Sequence, residues 1–521
     1  MGSLSLTLTA PDGNSVNFLN LYLDEDVDEV ILCFSDTAKM TTQDLKDEFQ
    51  GVVKSIYAMA YFNNGSNPNG IWTLTASSTS NFDEEVAWSI TFGKHPLKIP
   101  YFKRSGLPQV TLKTIDKKIT QEPKVLAKMK VEYPFSAIKD SNLVRQEYDG
   151  YVGIEYRGSA SKGYSQRSYG ISTTDSLMMN LDVPLLGNPS EHDWILQGTF
   201  RDRSHIRNPL SEILWQKMGY YAPRGHLCEL TINDRYEGVY NLIEKIKRDK
   251  NRINIKKLTK KDTVGDNLTG GYIFKIDKTN GTDTKSWNSL YKPTRHVLDQ
   301  SIAYVFHDPD QRKITSQQKQ YLKSYIDSFE TALMYFKDSA AVLKKKYSEY
   351  IDVQSFIDYS IMTELNKNFD GYRSSIFFYK DRNKKIFIGP VWDSDLAWGN
   401  MMMCAADSTN GWQYDFGKSC PEEYYQIPFW WEKMLSDPVY KRQYVQRWKQ
   451  LRLTVLSDKS IFGTVDSLFN EVRLASKKHY WQWPPEEYKF NDTPSRSHDA
   501  EERFLRKWIA DRLKWLDAHI R

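Results

Sequence analysis

The amino-acid sequence predicts an α+β fold, with β-strands in the earlier part of the chain and helices in the later part. Short apolar runs bounded by turn residues recur up to Ile276, whereas apolar residues at helical spacing recur from Leu322 onward. The chain has 521 residues, of which 40% are hydrophobic and 14% aromatic, so it is long enough for two hydrophobic cores. We therefore expect a small β-rich domain over residues 1–100 and a larger α+β domain over residues 101–521.

The first domain shows strand patterns separated by Gly, Asn and Pro turns. The strand-like runs are Leu4–Leu8, Val30–Phe34, Ile71–Ala76 and Val86–Phe92. One amphipathic stretch, Leu45–Ile56, has helical spacing instead. These patterns predict a sandwich-like β-rich domain with one helix packed on it. Because this segment carries no catalytic motif, we expect it to be a spacer or an adhesion module.

The second domain divides into a β-rich N-lobe over residues 101–280 and a mainly helical C-lobe over residues 281–521. One helix interrupts the strands of the N-lobe; it begins near Asp202–Asn208, with Ser204 as its N-cap, and ends at Met218. Apolar residues at helical spacing mark two helices of the C-lobe. They are Leu322, Tyr325, Ile326, Phe329, Leu333 and Phe336 in one helix, and Leu505, Trp508, Ile509, Leu513, Leu516 and Ile520 in the other.

Charge and composition argue against some classes of protein. The net charge of +5 is small and comes with no basic tail, so we expect no nucleic-acid partner. No run of about 18 apolar residues is present, so we expect no transmembrane segment. The start Met1-Gly2-Ser3 lacks the features of a signal peptide, and we expect it to stand in place of an export signal. The predicted location is periplasmic or cell-surface; a cytoplasmic location stays open.

The four cysteines fall into two groups. Cys33 and Cys228 lie in apolar, strand-like runs, which is typical of buried thiols. Cys404 and Cys420 bracket a loop rich in Gly, Asp, Ser and Asn. In an exported protein these two can form a disulfide, but their spacing alone does not decide whether they pair.

Two groups of carboxylates flank a predicted hairpin between Glu364 and Asn400. Asp370 follows an apolar helix, and Asp393 and Asp395 come directly after the second strand of the hairpin. The hairpin therefore brings the two groups together. Phosphoryl-transfer enzymes need carboxylates that hold Mg²⁺ against the phosphates and orient the attacking hydroxyl. The local sequence also fits a carboxylate at Asp370 that only caps a turn.

This segment resembles the CotH kinase family, atypical protein kinases named after a bacterial spore-coat protein. The resemblance lies in the N-x-D of Asn368 to Asp370, the hairpin, and the pattern P-x-W-D-x-D-x-x-x-G from Pro390 to Gly399. Five earlier segments match the family in the same order along the chain. They are Gly106–Lys113, Tyr156–Ile171, Asp193–Gly219, Glu229–Ile246 and Gly270–Asp277.

The resemblance implies a bilobal, atypical protein-kinase-like fold for the second domain. It implies transfer of the γ-phosphoryl group of ATP, with Mg²⁺, to Ser or Thr of a protein acceptor. Asp370 is then expected to orient the acceptor hydroxyl. Asp393 is expected to bind the metal, with Asp395 as a second ligand or as a neighbour that supports the ligand. Either Asn366 or Asn368 completes the metal shell, and the choice between them stays open.

A turn of small and hydroxyl residues after Arg157 is the predicted phosphate-binding region. Arg157, Lys162 and Arg167 are expected to steady the phosphates together with backbone amides of the turn. The same residues also fit a solvated hairpin. Members of the family commonly carry two lysines where this chain has Gln166 and Arg167; arginine keeps the charge but binds as a planar fork.

Three further residues are predicted to contact the nucleotide. Arg207 is expected to reach from its helix towards a carboxylate or a phosphate, and a surface salt bridge is the alternative. Glu244 is expected to meet the nucleotide or a cation beside the phosphates, and structural pairing with Arg or Lys is the alternative. Trp392 is expected to stack on the base, although core packing is the more common role of Trp.

Other functions stay open beside the kinase. A surface adhesin or pseudokinase would bind a glycan or a protein partner, with the first domain as the glycan-binding part. A phosphohydrolase would use the same metal cluster with water as the acceptor. The histidines show no H-E-x-x-H pair or Cys-His spacing for zinc, and no G-x-S-x-G motif is present.

Overall fold

The computed structural model describes most of the chain. The described residues are 2–23, 31–34, 50–53, 72–78, 105–115, 117–134, 144–158, 163–278, 286–339, 345–484 and 496–521. They divide between two compact units, Met1–Lys103 and Arg104–Arg521. The predicted strand Val86–Phe92 and the predicted phosphate-binding residue Lys162 lie outside the described residues.

The first unit contains an antiparallel sheet and a parallel strand pair. Its strands are β1 (Gly2–Thr9), β2 (Ser15–Leu23), β3 (Ile31–Phe34), β4 (Gln50–Val53) and β5 (Thr73–Ser78). β1 lies between β2 and β5, and β3 pairs with β4. The other three predicted strands are confirmed. The predicted helix Leu45–Ile56 is wrong at β4, where two β-branched valines favour a strand and pair with β3.

The second unit begins with a closed barrel. In chain order its strands and those of an inserted hairpin are β6 (Gln109–Thr114), β7 (Val125–Pro134), β8 (Val144–Arg157), β9 (Ser168–Thr174), β10 (Val183–Leu185), β11 (Asn188–Glu191), β12 (Asp193–Gly198), β13 (Gly225–Ile232) and β14 (Arg235–Glu244). β10 and β11 form the hairpin, and the other seven close in the order β12-β14-β13-β6-β7-β8-β9. Ile154, Leu196 and Leu242 belong to the apolar core of the barrel. Since alternate residues of a strand face opposite sides, Glu155 and Arg157 lie on the outer face.

One helix, α1 (Arg207–Lys217), joins β12 to β13, as the sequence predicts. The predicted N-cap, Ser204, is wrong. Ile206 occupies that position and makes no capping hydrogen bond through its side chain. The carboxylate of Asp202 accepts the backbone amides of Ser204, at 3.0 Å, and Arg207, at 2.8 Å. The acid caps the helix in place of the hydroxyl because its two oxygens reach both amides.

A second sheet lies after the barrel in the sequence. Its strands are β15 (Tyr272–Ile276), β16 (Ser286–Asn288), β17 (Ala303–Asp308), β18 (Ile376–Lys380) and β19 (Ile386–Ile388). The order is β16-β17-β15-β18-β19, with antiparallel neighbours. The hairpin β18–β19 is the one that the sequence predicts. Because β15 pairs with both β17 and β18, the predicted lobe boundary at residue 280 falls inside this sheet.

The later part of the chain is mainly helical. The remaining helices are α2 (Gly265–Leu268), α3 (Ser316–Met334), α4 (Val353–Asn366), α5 (Phe416–Ser419), α6 (Trp430–Leu435), α7 (Pro438–Arg452), α8 (Asp458–Gln482) and α9 (His498–His519). The predicted C-lobe helices correspond to α3 and α9 and are confirmed. In the part of the chain that the structure describes, no helix combines the length and apolar character needed to cross a bilayer. The fold is thus mixed, β-rich first and helical later.

Candidate functional site

Asp370 lies just beyond the C-terminal end of α4, on a turn built by two asparagines. The side-chain oxygen of Asn366 accepts the amide of Asn368 at 3.0 Å, and that of Asn368 accepts the amide of Asp370 at 3.1 Å. The Asn368 side chain also donates to the backbone oxygen of Asp393 at 3.2 Å. The structure therefore gives both asparagines a role in shaping the turn and joining it to the segment after the hairpin, and their metal ligation stays a prediction.

Two cations hold the carboxylate of Asp370. Arg373 lies 2.9 Å from one oxygen, and Lys278 lies 3.3 Å from it. Arg373 also reaches Glu423 at 3.1 Å, and its guanidinium stands over the rings of Phe369 and Phe416 at 4.1 and 4.8 Å. The orientation of the carboxylate is consequently fixed by a buried arginine that has little freedom of its own.

Asp393 and Asp395 follow β19 and are both partly exposed. Asp393 has a φ of 60°, a left-handed conformation that is rare for residues other than glycine and that recurs at functional sites. Ser375 donates to its carboxylate at 3.4 Å. Asn400 donates to the backbone oxygen of Asp395 at 2.7 Å. The first bond holds one oxygen of the Asp393 carboxylate, and the second holds the backbone at Asp395.

The acids of this region repel one another. Burial raises the pKa of Asp393 to about 6, and the negative charges of Asp370 and Asp277 add to the effect. Burial also raises the pKa of Asp395 to about 8; Asp393 adds to the shift and Arg201 opposes it. The carboxyl groups of Asp370, Asp277 and Asp395 thus all lie within electrostatic reach of Asp393. A divalent cation with oxygen ligands fits such a donor set.

Two members of this acidic region were missed by the sequence analysis. Asp277 follows β15, accepts a hydrogen bond from Ser374 at 2.9 Å and pairs with Lys275. Glu212 lies buried in α1, and burial raises its pKa to about 8, with a further contribution from Asp393. A signal existed for Asp277, because it is an acid directly after an apolar strand, as Asp393 is. No local signal exists for Glu212, whose place depends on the packing of α1.

Arg157 brings positive charge from the barrel to the acids. Its guanidinium lies 6.0 Å from the ring centroid of Trp392, the residue before Asp393. Burial lowers the pKa of Arg157, and the carboxylate of Asp393 opposes that shift, which shows that the two groups interact. Arg167, by contrast, is exposed, and its guanidinium stands 4.5 Å over the ring of Tyr156. Of these two predicted phosphate-binding arginines, only Arg157 lies beside the acids.

Other cations surround Arg157 on the outer face of the barrel. Burial lowers the pKa of Lys124. The negative charges of Asp193 and Glu155 oppose this shift, and the positive charges of Lys245 and Arg157 add to it. These five groups therefore lie within electrostatic reach of one another. The sequence analysis gave neither Lys245 nor Lys124 a role. Together they form a mixed-charge surface with several cations beside the acidic region.

Comparison with known proteins decides the family. The family model described as CotH kinase protein matches residues 154–516, from β8 to α9.

The chain belongs to the CotH kinase family.

The resemblance that the sequence motifs indicated is thereby confirmed. One similar protein is the inner spore coat protein H of Bacillus subtilis (strain 168). It is 22% identical to this chain over 281 residues, which are 53% of this chain and 67% of that protein. The matched CotH span contains Asp277, Asp370, Asp393 and Asp395, and also Arg157.

Two residues predicted to contact the nucleotide have protein partners instead. Arg207 is fully buried; it pairs with Asp202 at 2.7 Å and with Glu501, and thus ties α1 to α9. Glu244 is equally buried and pairs with Arg224 at 2.6 Å and Arg252 at 2.9 Å. Both charges are therefore held by protein partners: Arg207 meets carboxylates, and Glu244 has the structural pairing with arginine that was the alternative for it.

Trp392 packs partly into the core. It lies against a small apolar cluster that includes Ile246, Ile273 and Phe377. Its ring is only partly buried, and the guanidinium of Arg157 stands beside it. Trp392 therefore supports the segment of Asp393 from the core side, while its exposed part lies at the edge of the acidic region.

The acids share one region but do not form a closed cage. Among the described residues, only Asp182, Glu191 and His192 place their possible ligand atoms within 4.8 Å of one another. Lys247 already pairs with Glu191 at 2.7 Å in that group. In the described part of the chain, no three of the CotH acids place their possible ligand atoms that close together. Mg²⁺ is commonly held by one or two carboxylates, with substrate phosphates and water completing its shell.

Proposed function

We propose that this CotH protein is an atypical protein kinase that transfers the γ-phosphoryl group of ATP to Ser or Thr of a protein acceptor. The observation that carries the proposal is the group of carboxyl groups around Asp393, with the guanidinium of Arg157 within electrostatic reach of Asp393. In this proposal the barrel with α1 is the N-lobe of a kinase-like fold, and the helical part is the C-lobe. The described acids and cations then line the cleft between them.

The proposed roles follow from the position of each side chain. Asp393 and Asp395 would hold Mg²⁺, and Asp277 adds negative charge near Asp393. When bound, Mg²⁺ neutralises the charge of the phosphates. Asp370 accepts a hydrogen bond from the acceptor hydroxyl and orients it. Arg373 and Lys278 hold the Asp370 carboxylate in place, which contributes positioning more than proton affinity.

Positive charge for the triphosphate comes from the barrel. Arg157 is the first candidate, because it already lies near Asp393. Lys124 and Lys245 share its surroundings and are placed to bind further phosphate oxygens. Lys162 keeps its predicted role in the turn, whereas the exposed position of Arg167 argues for a lesser one. Trp392 is proposed to flank the bound nucleotide through its exposed part.

Export is part of the proposal. The structure contains a disulfide between Cys404 and Cys420, and disulfides persist mainly in oxidising compartments. The similar protein from Bacillus subtilis is described as a spore coat protein. We therefore place the CotH chain in an extracytoplasmic setting, where its acceptor is a protein of the cell or spore surface. A glycan-binding role for the first unit stays a prediction.

The direct test is transfer of label from γ-labelled ATP to protein in extracts of the source cell. The wild-type chain should label an acceptor in the presence of Mg²⁺. Asp370→Asn should reduce labelling by about a hundredfold or more, because it removes the group that orients the hydroxyl. Asp182→Asn is the matched control, since it changes an exposed acid to which the proposal gives no role, and it should keep full activity.

The other outcomes of this test separate the alternatives. Full labelling by Asp370→Asn would refute the role of Asp370. Steady release of inorganic phosphate without labelled protein would identify a phosphohydrolase. Binding of ATP without transfer or hydrolysis would identify a pseudokinase.

A further inference from the structure

The turn that carries Asp370 is bonded to a loop that a disulfide closes. Cys404 and Cys420 are bonded, with Cα atoms 5.3 Å apart and 16 positions apart in sequence. Three backbone carbonyls of this loop accept hydrogen bonds from the ammonium of Lys367. They belong to Ala405, Ser408 and Asn410, at 2.7, 2.9 and 2.7 Å from Nζ. A lysine ammonium has three protons, so the loop satisfies it completely.

Lys367 occupies a central position in the turn. It stands between Asn366 and Asn368, the two residues whose side chains build the turn, and only 4% of its surface is exposed. It is also the residue at which α4 ends, with a left-handed φ of 45°. Its side chain reaches the loop, where Nζ donates to the three carbonyls. Its backbone and its side chain therefore join the acidic site to the loop.

The backbone on both sides of this junction is unusual. Lys367, Cys404 and Ala405 all have positive φ, at 45, 57 and 55°. Residues other than glycine rarely adopt this region, and such conformations persist only where the surrounding structure enforces them. Here the disulfide and the three bonds to the ammonium supply that enforcement.

The same loop is anchored to the helices below it. Arg512 of α9 donates to the carbonyls of Thr409, at 2.9 Å, and Gly411, at 2.7 Å. Its guanidinium also lies 3.2 Å from Glu364 of α4. The amide of Gln413 donates to Glu364 at 2.8 Å. These bonds attach the loop to α4 and α9, so the loop can hold Lys367 in place.

We propose that Lys367 is a positioning residue and that the loop 404–420 is a disulfide-closed clamp that sets the position of Asp370. The catalytic consequence of this clamp rests on the proposed function, because it requires that Asp370 orients the acceptor hydroxyl. Reduction by a dithiol would break the sulfur–sulfur bond, give two cysteine thiols and convert the reagent to its own disulfide. The carbonyls then lose their fixed spacing, and the site is well ordered only in an oxidising environment.

The test uses Lys367→Met in the full chain, with Lys380→Met as the matched control. Lys380 is also a buried lysine that donates to a backbone carbonyl, that of Thr269, but it lies at the end of β18. Hydrogen exchange of the Asn368 and Asp370 amides reports the turn directly, because both amides donate to its asparagine side chains. Their protection should fall by about tenfold or more in Lys367→Met and stay within about twofold in Lys380→Met.

A second variant, Cys404→Ser with Cys420→Ser, tests the clamp without altering Lys367. It should lower protection of the same two amides and should have little further effect when combined with Lys367→Met, because both changes remove one support. The proposal is overturned if the serine variant leaves these amides as protected as in the wild type. It is also overturned if the two changes act additively.

Activity provides a separate readout. Misplacement of Asp370 should lower kcat by a larger factor than it raises KM for ATP, since Arg157 lies on another segment and Asp393 meets the turn through its backbone. A fall in amide protection without any measurable transfer by the wild type would support the clamp and refute the kinase. If the wild type is active but the variants keep the amide protection of the wild type, the kinase is supported and the clamp is refuted.

Discussion

Arg157 and Arg167 are both arginines, but they differ in how close they lie to the acids of the site. Arg157 interacts with Asp393 and stands beside Trp392, whereas Arg167 is exposed over Tyr156. A cation near the acids can neutralise phosphate charge where water is partly excluded. An exposed cation is screened by solvent and salt.

We expect Arg157→Gln to weaken binding of ATP in the presence of Mg²⁺ by about tenfold, because a charge-assisted hydrogen bond is lost. Arg167→Gln should change the dissociation constant by less than about threefold. Titration calorimetry of both variants measures the difference. Equal losses in the two variants would show that the phosphates lie nearer the exposed turn than the structure indicates.

The sequence located the acids better than their partners. Asp370 and Asp393 stand after regular elements, and that pattern is visible locally. Arg207 resembled a ligand-binding residue because its partner Glu501 lies 294 positions away in the sequence. The side-chain oxygens of Asn366 and Asn368 accept backbone amides, a role that the local sequence did not indicate, and their metal ligation stays a prediction.

At the scale of elements, three histidines join the start of α1 to α8 and α9. The ring of His205, before α1, lies 4.3 Å from that of His479 on α8 and 5.9 Å from that of His498 on α9. The amide of Val239 donates to His479 at 3.1 Å, which requires an unprotonated nitrogen. Burial lowers the pKa of all three histidines. The neighbouring Arg203 lowers the pKa of His205 and His479 further.

This cluster predicts loss of stability in acid. The unfolded chain binds protons at histidine near pH 6.5, whereas the folded cluster resists them, so unfolding takes up protons as the pH falls below about 6.5. Each histidine then costs about 1.4 kcal/mol of unfolding free energy per pH unit. The acids Asp499, Glu501 and Glu502 near His498 reduce its share.

Thermal unfolding between pH 7.5 and 5 measures this effect. His479→Gln should flatten the fall of Tm with decreasing pH, because one proton-binding group is removed from the unfolded state. His519→Gln is the control, as His519 is exposed on the last turn of α9. An unchanged slope in His479→Gln would contradict the assignment.

Elements with a local pattern were predicted, and those that depend on distant pairing were not. The hairpin β18–β19 and the helices α3 and α9 follow apolar periodicity and are confirmed. The stretch at β4 looked helical, since its strand character depends on pairing with β3. The boundary at residue 280 was placed inside a sheet because β15 and β18 are distant in sequence. No local sequence pattern predicts such a pairing.

At the scale of the whole molecule, the unit Arg104–Arg521 contains every described residue of the candidate site. The barrel supplies Arg157, α1 supplies Glu212, and the second sheet and α4 place Asp277, Asp370 and the segment after β19. The site thus depends on elements from the whole length of this unit. In the proposed function, the acids of this site together bind a divalent cation against a nucleoside triphosphate.

Titration calorimetry with a non-hydrolysable ATP analogue, with and without Mg²⁺, tests that claim most directly. The wild-type chain should bind the analogue much more tightly with Mg²⁺. Asp393→Asn should lose at least about tenfold of that Mg²⁺-dependent affinity while its Tm stays equal or rises, because a repelled carboxylate is removed. The account would be contradicted if Asp393→Asn kept the full Mg²⁺-dependent affinity of the wild type.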